Sequence, residues 1–467
     1  MVRMRFGMKL SVLAVSALIV GAGAVSADTL RQALTKAYNN SGLLEQNRAV
    51  LRAADEDVAQ AVSKLRPVFE WSTRVTQGLG DALNNSGNIY YDDRTAASIE
   101  ISALATLFDG GTRGYSKAAS KELVLATRQS LISVEQQVLL SAIEAYMDVH
   151  REAETVDLRE SNFHLIQEEL RAAKDRYEVG EVTKTDVALA EARLAESKSE
   201  LQLAIGAYRQ AKAMYVQVIG DSITQYTKLP KLPKLPDSLE AVQNIAFREH
   251  PELRKLQHSI KAHDFRISET KSSLGPKVTI SGSYGLKTGE GFKTYNPSEM
   301  SINIGGSLYD GGNSPSLIRQ AKARRDQEFI KLQILKREIQ QTTVTTFFDF
   351  SMARSRREAT EEQIRAAQVA FDGTKEEAKL GARTTLDVLN AEQDLLNAKA
   401  NLISATIEEQ IVAYRLLLQM GQLTVDHLNL PVQKYDPDAY YNHVKNAPAA
   451  SDQGKALDRV LKALGQE

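Results

Sequence analysis

The chain carries two hydrophobic periodicities. From Phe69 to Thr76 the residues alternate, with Phe69, Trp71, Thr73 and Val75 on one side and Glu70, Ser72, Arg74 and Thr76 on the other. A second segment sets Ala97, Ile99, Ile101, Ala103 and Leu107 against Ser98, Glu100, Ser102 and Thr106. Further along, Val278, Ile280, Tyr284 and Leu286 oppose Lys277, Thr279, Ser281 and Ser283, and Met300, Ile302, Ile304 and Leu308 oppose Ser301, Asn303, Ser307 and Tyr309. A period of two predicts four strands, each near the length of a tilted transmembrane β-strand. Period alone fits a barrel strand, apolar outward and polar inward, as well as a soluble hairpin lying on a core.

The rest of the pattern is helical. Thr112 to Tyr177 and Ser316 to Leu380 each contain no proline and a single glycine, so each can run as one helix of ~100 Å. Shorter helices are expected over roughly 30–66, 184–219, 239–273 and 384–420, each a little over half that length, so that two end to end match one long one. Val187, Leu194, Leu201, Tyr208 and Tyr215 recur every seven residues, with Ala190, Ser197, Ala204, Ala211 and Val218 as a second seam, which predicts coiled-coil pairing. Leu395, Leu402 and Leu416 continue the scheme later in the chain, where Glu409 interrupts it. Rods of this length favour a cylinder of helices hanging from strands over an ordinary core.

The text is also written twice. Phe108-Asp109-Gly110-Gly111 returns as Tyr309-Asp310-Gly311-Gly312, and Gly180…Asp186-Val187 returns as Gly381…Asp387-Val388, at a displacement of 201 residues. Upstream the displacement is 209, as between Pro67 and Pro276, so the first copy has eight extra residues between Pro67 and Phe108. They are expected in a loop around Gly78 to Arg94, where Asn84-Asn85-Ser86-Gly87 reads as a surface turn. A duplication that keeps register this far implies a tandem pseudo-repeat. Pro67 and Pro276 stop a helix and open a strand, where a missing N–H is tolerated. Asp109, Gly110, Gly111 and Asp310, Gly311, Gly312 mark strand-to-helix turns. The three-residue period Lys-Leu-Pro from Lys228 to Pro236 reads as a semi-rigid strut joining the copies.

Composition removes whole classes of function. Arg3, Arg5 and Lys9, the apolar run Leu10–Val25 and Val25-Ser26-Ala27 form a secretory signal peptide over 1–27. Removing it takes the formal net charge from −1 to −4, which leaves no electrostatic footprint for nucleic acid. The chain has no cysteine, so neither disulfides nor a lipid-anchored N-terminal cysteine is available. Beyond residue 27 no apolar stretch approaches the ~20 residues of a spanning helix, so membrane entry requires β-strands. The spacings of His250, His258 and His263 do not converge like i, i+4 metal ligands, and no phosphate loop, dinucleotide fingerprint or nucleophile elbow occurs. Neither a cofactor nor an enzyme is expected.

The tandem organisation, the paired Phe/Tyr-Asp-Gly-Gly turns, Val179-Gly180…Thr185-Asp186-Val187 and Gly381-Ala382-Arg383-Thr384-Thr385-Leu386-Asp387-Val388-Leu389 resemble the TolC family of outer-membrane efflux and secretion channels along the mature chain. Leu428-Asn429-Leu430-Pro431…Tyr435-Asp436-Pro437…Tyr440-Tyr441 looks like the tail of the branch used in type I protein secretion. The implied fold is an α-helical barrel of long coiled-coil hairpins plus transmembrane β-barrel strands. The division is signal peptide 1–27; first repeat 28–220, with strands about 68–78 and 96–108; Pro-rich linker 221–237; second repeat 238–421, with strands about 277–287 and 299–309; and C-terminal periplasmic tail 422–467.

Four strands cannot close a barrel, since known outer-membrane barrels begin at eight. Two, three or four chains would supply eight, twelve or sixteen strands, and eight would leave a filled interior. The resemblance selects a homotrimer in outer-membrane lipid of a Gram-negative bacterium. It implies a passive exit duct docking with a periplasmic adaptor and an inner-membrane ABC or RND-type transporter, for secreted proteins or mainly for drugs. A soluble periplasmic coiled-coil scaffold is the reading of another class, disfavoured by the four barrel-length strands.

The resemblance also assigns sites. Thr185, Asp186 and Arg383 match a periplasmic gate; Asp387 matches an acidic entrance ring whose second position is Asn390 here; and Val179, Gly180, Leu380 and Gly381 form the tip turns and adaptor-docking surface. Ala378 stands where family members often place a Tyr. Thr183…Asp186 and Thr384…Asp387 also read as capping boxes after helix-ending glycines.

Overall fold

The computed structural model describes residues 29–83, 86–87, 89–223, 229–288, 294–447 and Lys455. The signal peptide at 1–27, Asn84 and Asn85 of the surface turn and most of the tail beyond 447 lie outside the described residues. In chain order the elements are α1 (Leu30–Asn40), α2 (Gly42–Ser63), β1 (Val68–Leu83), β2 (Ile89–Phe108), α3 (Thr112–Glu178) and α4 (Lys184–Ile219). They are followed by α5 (Leu239–Glu249), α6 (Pro251–Ser272), β3 (Lys277–Thr288), β4 (Thr294–Tyr295), β5 (Ser298–Gly305), α7 (Asn313–Lys379), α8 (Thr385–Gln419) and α9 (Pro437–Val444). No helix among the described residues is long and apolar enough to cross a membrane.

The helices expected over 30–66 and 239–273 are each broken in two. Ser41 takes extended backbone (φ −69°, ψ 107°), and its hydroxyl accepts from the Leu44 N–H, capping α2. At the matching break His250 (φ −60°, ψ 120°) precedes Pro251, because a proline drives the residue before it out of helical backbone while suiting the first helical position itself. The long rods α3 and α7 run uninterrupted for 67 residues each. Both start after a glycine in left-handed backbone, Gly111 (φ 89°) and Gly312 (φ 88°), a conformation that a Cβ would oppose. The Asp109 carboxylate locks the first turn, accepting from the Gly111 N–H and from the Arg113 Nε at 2.6 Å. Asp310 accepts in the same way from the Gly312 and Ser314 N–H groups.

The strands form one antiparallel sheet, with β1, β2 and β3 side by side and β4 and β5 on the far side of β3. Pairing aligns the alternating faces in rows. One row runs Glu70, Ser102, Ser283, Glu299; on the opposite face Trp71, Ile101 and Tyr284 align, as do Ile280 with Ile302 and Val278 with Ile304. The apolar face is bare within the chain, with Trp71 78% and Ile304 73% exposed. The first hairpin is longer than expected: pairing continues from Gly78 with Arg94 to Leu83 with Ile89, so the eight extra residues extend a two-stranded ribbon instead of forming a loop. The last strand is shorter. It was expected to reach 309, but β5 stops at Gly305, where a Gly-Gly pair offers no side chains to pack and the strand has a neighbour on one side only.

Helices α3 and α4 pair into one hairpin and α7 and α8 into another, while α2 and α6 pack on the opposite ends of the long rods. The second seam of α4 supplies its buried line, Ala190, Ser197 and Ala204. Glu409, which breaks the heptads of α8, is buried and receives the Arg357 Nε at 2.6 Å. At mid-length Leu139, Ile143, Tyr146, Tyr215, Ile219 and Leu416 form the main core, against which Leu229 and Leu235 of the linker pack. Gln410 donates to the Pro230 carbonyl at 3.0 Å, so the strut is clamped to the rods. The tail returns along α2: Arg128 pairs with Asp438 at 2.7 Å, and the Tyr440 hydroxyl donates to Glu56.

Candidate functional site

The free ends of the two hairpins lie side by side, and each is built by the same local chemistry. Val179 and Leu380 close the long helices, and Gly180 (φ 81°) and Gly381 (φ 77°) then reverse the chain. The Glu181 N–H donates to the Arg176 carbonyl and the Ala382 N–H to that of Glu377, which is the Schellman pattern that satisfies the last turn. The Thr183 hydroxyl accepts from the Asp186 N–H while Asp186 accepts from the Thr183 N–H; Thr384 and Asp387 repeat the exchange. These bonds hold both carboxyls below the usual carboxylate range: for Asp186 the Thr183 hydroxyl is the leading cause, for Asp387 the Thr384 N–H.

Between the tips lies a cleft of about 810 Å³, lined among others by Arg176, Asp186, Lys375, Arg383, Thr384 and Val388. Asp186 and Arg383 therefore border one space. Within the chain, however, they do not bond: Arg383 donates through Nε to Glu377 at 2.9 Å, stapling the end of α7 to the start of α8, and Asp186 is engaged by Thr183. Thr185 is exposed, Asp387 is half-buried, and Val179 and Leu380 protrude at 70% and 85% exposure. Ala378 packs against the cluster of Phe371, Val388 and Leu395 at the hairpin's own seam.

Farther from the tip, polar links join the α3–α4 hairpin to the α7–α8 hairpin. Lys375 reaches Glu169 at 3.0 Å, Arg193 donates to Asn390 Oδ1 at 3.4 Å, and Asn162 Nδ2 donates to Glu392 Oε1 at 3.0 Å. Asn390 thus serves a cross-hairpin bond. The sequence reading missed Glu169, Arg193, Lys375, Asn162 and Glu392, because charged residues on rods of this kind look alike until the two hairpins are placed together. Of the histidines, His258 bonds Glu122 at 2.7 Å and His250 accepts from the Glu252 N–H at the α6 cap.

The chain is similar to known proteins in sequence and in fold. The family model described as outer membrane efflux protein matches residues 33–221 and 243–422. The chain is 33% identical over 443 residues to the outer membrane efflux protein BepC of Brucella suis, covering 93% of this chain and 94% of that one. It is 23% identical to the alkaline protease secretion protein AprF of Pseudomonas aeruginosa, over 68% and 67% of the two chains. The solved Campylobacter jejuni outer membrane channel CmeC superposes with a TM-score of 0.72 at 14% identity, over 95% and 98% of the chains. Matched in both halves by one family model and over nearly all its length by a relative, the chain belongs to the outer membrane efflux protein family: it is a channel protein of the Gram-negative outer membrane and not an enzyme.

Proposed function

We propose that three copies of this chain close a twelve-stranded barrel in the outer membrane and continue below it as one helical tunnel, a passive exit duct. The carrying observation is the sheet itself. Its two outer strands, β1 and β5, each lack a partner on one side among the described residues, and one whole face is apolar and bare. Open edges and an exposed apolar face are tolerated together only where a neighbour pairs with the edges and lipid covers the face. Light scattering of the detergent-purified protein tests this: the expected mass is three chains, with trimers persisting in SDS. A monodisperse single chain that still conducts ions in bilayers overturns it.

The tip is the periplasmic gate in this reading, with Thr185, Asp186 and Arg383, which do not bond one another within the chain, meeting between neighbouring chains, and Asp387 contributing a single acidic ring at the entrance. The exposed Val179 and Leu380 beside Gly180 and Gly381 offer apolar contacts to a periplasmic adaptor, which couples the duct to an inner-membrane ABC or RND-type pump. Likeness to an efflux protein and to a protease secretion protein supports a duct whose cargo is chosen by that pump. Deleting the gene and comparing the secretome with drug susceptibility distinguishes type I secretion from drug efflux.

A further inference from the structure

Glu392 is set apart from the other links at the tip by what surrounds it. It lies on α8, ~7.5 Å along the helix axis from Asp387, and is 4% exposed. Its Oε1 accepts from Asn162 on α3, and its Oε2 is buried with no hydrogen-bond donor among the described residues. The groups facing it are Asn162 and Glu169 from α3, Arg193, Glu196 and Glu200 from α4, and Lys375 from α7, with Gln393 beside it on α8.

The neighbouring cations are already engaged. Arg193 donates to Glu196 at 2.8 Å and to Asn390, Lys375 pairs with Glu169, and Arg159 holds Glu200 at 2.6 Å. Glu392 is therefore the one acid of the group without a cation of its own, and it is the most enclosed. Burial first, and then the Glu169 charge, push its carboxyl up to about 7, against the opposing pull of Lys375, Asn162 and Arg193.

We propose that Glu392 is a positioning residue for the gate: in its neutral form it seats α8 against α3 through Asn162, and its ionisation releases the α7–α8 hairpin from the α3–α4 hairpin. The reason is the asymmetry of buried polar groups. A neutral carboxyl leaves a single Oε2 hydroxyl unpaired, which costs far less than a charge buried in the same place with no donor to Oε2. A carboxyl raised on seating stabilises the seated state fully below its ordinary pKa of 4.5, and that stability is lost as pH rises toward and through about 7. The consequence for conduction rests on reading the tip as the gate.

The test uses the assembled full-length channel in lipid, with hydrogen exchange of residues 158–166 and 386–396 read beside planar-bilayer conductance. Between pH 6 and pH 8.5, after correction for intrinsic chemical exchange, the wild-type segments should open ~tenfold more, well within the ~300-fold that a rise from 4.5 to about 7 permits. Glu392→Gln, which keeps a carbonyl for Asn162 and cannot ionise, should stay at the low-pH level throughout. Asn162→Leu should exchange fast at every pH, and conductance should follow exchange in each case. A wild-type pH response retained in Glu392→Gln, or unchanged exchange in Asn162→Leu, overturns the tether. If exchange follows Glu392 while conductance stays flat, and Arg383→Ser is silent as well, the tether stands and the gate reading falls.

Discussion

Trp71 on β1 stands directly across from Ile101 on β2, and Ile101 stands across from Tyr284 on β3. The three side chains share one face and are all exposed, in a chain whose mid-length core buries residues of the same kind completely. An apolar row left bare by its own chain needs a nonaqueous neighbour.

Replacing Ile101 with Arg therefore places a charge on the lipid side. Near the midplane this should cost ~2–4 kcal/mol of barrel stability, while Ser102→Ala, on the opposite face, should be mild. Denaturant unfolding of the trimer measures both. A cysteine placed at Ile302 should resist water-soluble reagents, and ready labelling in the assembled protein would put the apolar face in water.

The two-stranded ribbon beyond Gly78 and Arg94 ends at the turn containing Ser86 and Gly87. It extends away from the helices, so in the proposed topology it projects outside the cell. An epitope inserted between Ser86 and Gly87 should leave trimer yield unchanged and be detected by antibody on intact cells. Detection only after the outer membrane is permeabilised would reverse the topology.

Arg383→Ser removes a cation from the tip cleft but leaves the Thr384–Asp387 cap in place. Bilayer conductance should rise, and cells should become sensitive to large antibiotics; Asp186→Ala should act in the same direction and also weaken its helix start by ~1 kcal/mol. Double mutants identify the partner. If Arg383 reaches Asp186 of a neighbouring chain, Arg383→Ser with Asp186→Ala adds little to either single change. If its whole contribution is the bond to Glu377, non-additivity appears with Glu377→Gln instead, and the gate lies elsewhere.

Asp55 on α2 is fully buried beside Leu51 and Val58, near Arg128 and the tail's Asp438. Burial, opposed by Arg128 and reinforced by Asp438 and Glu56, raises its carboxyl to about 6. A raised acid favours the folded state most below its ordinary value of 3.8 and loses that advantage as pH climbs through about 6. Asp55→Asn should then stabilise the protein at pH 7.5, by on the order of 1–3 kcal/mol, and bring no gain at pH 4. Thermal unfolding at the two pH values checks the sign, and equal shifts at both would show that the charge is not the cause.

Local chemistry determined much of this protein before any contact was known. The period of two in Phe69–Thr76, the absence of proline from Thr112 to Tyr177 and from Ser316 to Leu380, and the glycines at 180 and 381 act within a few residues, so strands, rods and tips were legible. The break at His250-Pro251 was equally legible, since a proline constrains the residue before it, yet it passed unread inside a continuous helical pattern. The length of the first hairpin was not legible: whether Gly78–Leu83 loops or pairs depends on Ile89–Arg94 lying opposite, which only the register shows. The same holds at the tip. The capping boxes followed from residues three apart, whereas the turn of Asn390 toward Arg193 and the burial of Glu392 against Asn162 depend on how two hairpins, separated by some two hundred residues of chain, come to rest against each other. Charge on a long helix is uniform in sequence, and only packing decides which carboxyl keeps water and which loses it.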